Sequence, residues 1–156
     1  MGVLILDKSL KSREEVLSQV VVAAFKIGAS IRIDENRKEC LPSKSKLEVT
    51  ILKHFEDNEE YFILNLEKEE SVLSTYELLD FEIGKYYRFG VTDQADYPRL
   101  IYCFALAYLR LNPNQVISTY GDQFYTLKDL ERMENEGGYF KDWCYAKLPW
   151  QNEPDL

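Results

Sequence analysis

The amino-acid sequence reads as a single α+β domain over residues 1–156, an antiparallel sheet of about four to six strands with two main helices and a short C-terminal helix packed on it. Three features lead there. Segments of period two and segments of helical period come in blocks, without the regular strand–helix–strand alternation of a parallel sheet. A chain of 156 residues has the length of one domain, and no repeat, low-complexity tract or Pro/Gly/Ser linker divides it. Hydrophobic residues make up 46% and charged residues 29%, the proportions of a chain that buries a core rather than a disordered or collagen-like one.

Ser12-Arg13-Glu14-Glu15 has the form of a capping box and starts a helix over 13–28, with Leu17, Val20, Val21, Ala24 and Ile27 at helical spacing and Gly28 as the stop. Residues 29–34 read as a short strand and 35–45, with Pro42, as a loop. Over 46–56, Leu47, Val49, Ile51 and Phe55 fall on one face, and Glu48, Thr50, His54 and Glu56 on the other. Asp57-Asn58-Glu59 is turn chemistry, so 61–67 is the returning strand of an antiparallel hairpin. Residues 72–79 are ambiguous between strand and short helix; 85–92, rich in Tyr, Phe and Val, is a strand. Asp93 or Asp96 caps a second helix that tolerates Pro98 in its first turn, carries the stripe Leu100, Ile101, Phe104, Ala105, Tyr108 and Leu111, and ends at Asn112-Pro113. A small hairpin over 115–125 turns at Gly121, and Thr126 opens a last helix closed by Gly137-Gly138.

Several chemistries find no footing. His54 is the lone histidine and sits mid-strand, where a solvated cross-strand residue is expected rather than the base of a nucleophilic site. Cys40, Cys103 and Cys144 form no metal-ligand spacing with it, so neither metal nor cofactor is expected. The seven glycines stand at 2, 28, 84, 90, 121, 137 and 138, where neither a P-loop nor a dinucleotide fingerprint can be written. Asp93 with Asp96, or Glu67 with Glu69 and Glu70, read as capping and solvating carboxylates rather than an acid–base pair. Arg32, Arg37, Lys38, Lys44 and Lys46 are interleaved with acids and read as a solvated loop. The short apolar run before Asp7 is no export signal, and 100–109 is bracketed by Arg99 and Arg110, so no membrane span is expected. With three unpaired-looking cysteines, a cytoplasmic location is the expectation.

Charge is the strongest signal. The formal net charge is -8, and it is polarised: 1–54 carries ten basic and seven acidic residues, 55–156 nine basic and twenty acidic. Between 56 and 82 ten acids face only Lys68, a surplus that disfavours nucleic acid and anionic lipid and steers a basic protein toward it. The alternation of a half-buried strand is expected to gather these carboxylates on one exposed side. Glu56, Asp57, Glu59, Glu60, Glu67, Glu69, Glu70, Tyr76 and Glu77 are therefore the expected partner-binding residues. Tyr86, Tyr87, Tyr97, Tyr120, Tyr125, Trp143 and Trp150 are candidate ring anchors.

In this general character, small, acidic and ring-rich, the chain resembles bacterial immunity and antitoxin proteins. The likeness is compositional and carries no binding residue across. It implies a non-catalytic inhibitor whose partner is a basic protein such as a toxin. The alternative expectation is a small-molecule or enzymatic site between sheet and helix, at about 96–111, with His54, Tyr102, Cys103 or Asp96 as its polar groups.

Overall fold

Residues 4–7, 11–36, 46–66, 75–77, 85–92, 96–119, 123–138 and 143 are described by a computed structural model. They form β1 (Leu4–Asp7), α1 (Arg13–Lys26), β2 (Ser30–Asn36), β3 (Lys46–His54), β4 (Glu59–Leu66), β5 (Thr75–Glu77), β6 (Lys85–Thr92), α2 (Pro98–Leu111), β7 (Val116–Thr119), β8 (Gln123–Tyr125) and α3 (Leu127–Asn135). Local chemistry sets the helix ends. Ser12 Oγ accepts from the Glu15 N–H at 3.1 Å, and Gly28 takes a left-handed φ of 71° just past α1. Thr126 and Asp129 cap α3 reciprocally. The start of α2 corrects the expected acidic cap: its N-cap is Tyr97, with no side-chain bond, and Pro98 occupies the first turn, where a missing N–H costs little.

All strand pairings are antiparallel, in the order β2-β3-β4-β6-β1-β7-β8 with β5 also beside β6. The α+β class with three helices is as expected. The strand count is not: among the described residues eight strands stand where about four to six were expected. The unexpected central member is β1, whose four residues are too few to display a period, yet which lies between β6 and β7. The ambiguous stretch yields a second short strand, β5, because Thr75, Tyr76 and Glu77 find Tyr87, Tyr86 and Lys85 of β6 as partners.

The core lies between one sheet face and α1 with α2. Val16, Val20, Ala23 and Ala24 of α1 meet Leu100, Ile101, Phe104, Ala105 and Tyr108 of α2 over Val49, Ile51, Phe62, Leu64 and Leu66, all buried. Phe62 and Phe104 pack edge to face, ring centroids 5.3 Å apart. Gly90 of β6 lies under this layer because a Cβ there would stand 3.0 Å from Leu64 Cδ1 and 3.3 Å from Ile5 Cδ1 and Leu66 Cδ2. Trp143 is fully buried; its Nε1–H donates to the Pro98 carbonyl at 2.8 Å, and the Tyr125 hydroxyl donates to the Trp143 carbonyl at 2.6 Å. Tyr125 and Trp143, expected as ring anchors for a partner, are thus core residues that tie the start of α2 to β8. No described helix is long and apolar enough to cross a membrane.

Candidate functional site

The hairpin β3–β4 carries most of the expected site that can be described. It runs in unbroken register from Leu47 opposite Leu66 to His54 opposite Glu59, and its turn closes with the Phe55 N–H donating to the Asn58 carbonyl at 2.7 Å. Strand parity then sorts its side chains. Phe62, Leu64 and Leu66 face the helices, so Glu60 must face them too, whereas Glu59, Tyr61 and Ile63 face away. Glu60, expected on the exposed acidic surface, is instead only 4% exposed.

A buried carboxylate requires a cation, and α2 supplies it from its first turn. Arg99 Nε donates to Glu60 Oε2 at 2.9 Å, Arg99 Nη2 donates to the same oxygen, and Nη2 also donates to Asp57 Oδ1 at 3.0 Å. The Phe55 ring lies beneath the guanidinium, its centroid 3.8 Å from Cζ. The bond from Arg99 holds the Asp57 carboxyl below the usual range, and the bond to Glu60 raises Arg99 above its ordinary value. Both donors converge on Oε2, leaving Glu60 Oε1 buried without a hydrogen-bond partner. Lys53, directly across from Glu60, sends its ammonium to the Ile27 carbonyl at the C-terminus of α1, where a cation complements the exposed carbonyls. At the tip, His54 Nδ1 meets Glu59 at 3.0 Å with both side chains at least half exposed, which fits a solvated cross-strand histidine. Glu56 is exposed and makes no ion pair among the described residues.

The sheet face turned away from α1 and α2 presents a different surface. Tyr61 is 47% exposed and Ile63 40%, and Tyr61 packs against Tyr97 with centroids 5.6 Å apart. Beside them lies a groove of about 280 Å³ lined by Glu48, Tyr61, Phe62, Ile63, Asn65, Asp96 and Tyr97. Among the described residues its charged lining is Glu48 and Asp96, so these residues offer it two carboxylates beside two phenol rings. The sequence pattern hides this groove, since Asp96 and Tyr97 reach β4 only through the path of the chain into α2.

Other expected residues distribute as follows. Tyr76 and Glu77 fall on β5, paired opposite Tyr86 and Lys85. Glu67, Glu69, Glu70, Tyr120 and Trp150 lie outside the described residues. Tyr102 donates its hydroxyl to Glu134 of α3, and burial, with that bond second, pushes its ionisation up. Burial likewise pushes the half-buried Cys103 thiol up, which leaves it a poor nucleophile. Among the groups of the alternative site only Asp96 reaches the groove; His54, Tyr102 and Cys103 do not line it. A second, open concavity of about 480 Å³ borders the start of α3, where the Asp129 N–H donates to Thr126 Oγ1 and the Thr126 N–H to Asp129 Oδ2. Among the described residues no three His, Cys, Asp or Glu side chains come together as a metal site would require. Compared with known proteins, the chain matches no family, no curated protein and no solved structure.

Proposed function

We propose that this chain is a non-catalytic protein-recognition module, an inhibitor of the immunity or antitoxin kind, which binds a basic partner protein. One observation carries the reading: the groove beside Tyr61 and Tyr97 on the sheet's outer face, whose charged lining residues, among those described, are both carboxylates. A lysine or arginine of the partner fits it, with Glu48 and Asp96 as acceptors and the tyrosine faces as cation–π surfaces. Ile63 and Tyr61 add exposed apolar area of the sort that dominates interface energies. Glu56 and Glu59 stand at the hairpin tip nearby and extend the negative field that speeds encounter. Glu67, Glu69, Glu70, Tyr76 and Glu77 belong to the proposed partner-binding set on their sequence pattern alone.

The test starts from the partner that co-purifies with the chain from its native host. Association should slow steeply as salt rises, and Glu48→Lys with Asp96→Lys should weaken binding by about tenfold or more while the fold persists. An acidic partner, a salt-independent on-rate, or full affinity in the double variant rejects the reading. The same groove is large enough to favour a second reading, a small cationic ligand held there. Thermal stabilisation by free amines in the absence of any protein partner selects that one.

A further inference from the structure

The sheet ends at β2, which among the described residues pairs only with β3. Among the described residues no strand pairs with its other edge, so the backbone groups that strand parity turns outward about Ile33 are a template for another strand. We infer that two copies of this chain join through this edge, antiparallel about a two-fold axis at Ile33, so that Arg32 of each copy faces Asp34 of the other.

Symmetry and strand parity narrow the register before any side chain is considered. Alternate residues of β2 aim their backbone groups at β3, so only the remaining ones can bond outward. In a pair of identical antiparallel strands, residues that face each other must be of the same kind, and the axis therefore passes through a residue and never between two. Side-chain chemistry then chooses among the possible centres. An axis at Arg32 sets Arg32 against its own copy, and an axis at Asp34 or Glu35 does the same with carboxylates. An axis at Ile31 sets Arg32 against Ser30 and leaves the far half of the strand without a partner. An axis at Ile33 matches all seven residues: Ile33 faces Ile33, Arg32 faces Asp34, Ile31 faces Glu35 and Ser30 faces Asn36.

Exposure agrees with this register. Ile33 is 46% exposed although its neighbour in the sheet, Val49, is fully buried on the same face, so the edge leaves an aliphatic side chain only half covered. On the opposite face the Arg32 and Asp34 side chains are 78% and 47% exposed and bonded to each other within one strand at 2.9 Å. Exposed as it is, that internal pair contributes little by itself. Across the axis the two pairs become a four-charge cluster of alternating sign, and Ile33 meets Ile33. The interface is isologous and closed, which continues the sheet into the second copy without inviting a third along that edge.

Analytical ultracentrifugation from about 1 µM to 1 mM reads the assembly, a range suited to edge pairing of modest area. The wild-type mass should climb from 18.3 kDa toward twice that value. Arg32→Asp and Asp34→Arg should each weaken self-association on the order of tenfold, because two opposite-charge pairs become two like-charge pairs. Mixing the two single variants should restore a heterodimer, and the double variant R32D/D34R should pair with itself as the wild type does. Circular dichroism on each variant checks that the exposed substitutions leave the fold intact. A wild-type chain that stays at 18.3 kDa throughout overturns the inference. So do single variants that pair as well as the wild type, or a mixture that fails to recover.

Discussion

Replacing Arg99 by Met tests whether the hairpin is held to α2 by a buried charge pair. The Glu60 side chain is 6% exposed and that of Arg99 29%, so the substitution strands a carboxylate that water reaches poorly. Breaking a buried pair by removing one partner costs about 3–5 kcal/mol. Because nearly a third of Arg99 is open, water can enter the vacated space and lowers that cost to about 2–4 kcal/mol. Loss of the guanidinium from the Phe55 face adds about 0.5–1 kcal/mol, and loss of the exposed bond to Asp57 adds less. The sum, about 3–5 kcal/mol, is a large share of the roughly 5–15 kcal/mol that a domain of this kind possesses. It corresponds to a fall in Tm of roughly 10 °C. Urea unfolding followed by the fluorescence of buried Trp143 measures it, with an unchanged slope marking a change of stability alone. The decisive comparison adds Glu60→Leu to Arg99→Met. With both partners gone no charge is stranded, so the double variant should recover most of the loss. A double variant as unstable as Arg99→Met, or a single-variant loss under about 1 kcal/mol, refutes the assignment of Glu60 as a buried ion held by Arg99.

Two further outcomes follow from contacts within the sheet and its hairpin. Asp57 has a lowered folded-state value, chiefly through the bond from Arg99, so its contribution is whole above the unfolded value and fades as pH falls through the folded one. Wild-type stability should therefore drop more steeply than that of Asp57→Asn on acidification below about pH 4, and parallel urea midpoints at pH 7 and pH 3 would contradict this. Gly90→Ala should cost about 1–3 kcal/mol by crowding Leu64, Ile5 and Leu66, read as a lower guanidinium midpoint; a wild-type midpoint shows that those tips can move aside.

The elements whose period spans two or more repeats were legible from the residues alone. Ser12 and Thr126 cap where capping chemistry demands, Gly28 stops α1, and the β3–β4 hairpin keeps the faces that its alternation implies. What escaped are features fixed by distant partners. Four residues of β1 carry no period, and only β6 and β7 on either side make them a central strand. Trp143 and Tyr125 read as surface anchors because rings suit interfaces and cores equally; their burial and the hydrogen bonds both donate to backbone carbonyls place them inside. Glu60 could have been sorted earlier, since it shares the parity of Phe62, Leu64 and Leu66, a signal that outweighs its charge once a cation is within reach.

That sorting changes which carboxylates can act at a distance. Counting acids along the chain makes the hairpin tip the most negative place in the sequence, yet Arg99 occupies both Asp57 and Glu60. A carboxylate already bonded to a guanidinium contributes little net field and would have to give up that bond to receive a partner's cation. Glu48 and Asp96 make no ion pair among the described residues and flank a groove. The steering charge is thereby shifted from the tip to the outer face of β3 and β4. Neutralising Glu48 and Asp96 should accordingly slow association with a basic partner more than Asp57→Asn does, although Asp57, and neither Glu48 nor Asp96, is among the partner-binding residues expected from the sequence. Equal effects at the two places would return the field to the tip and leave the groove without a role in recognition.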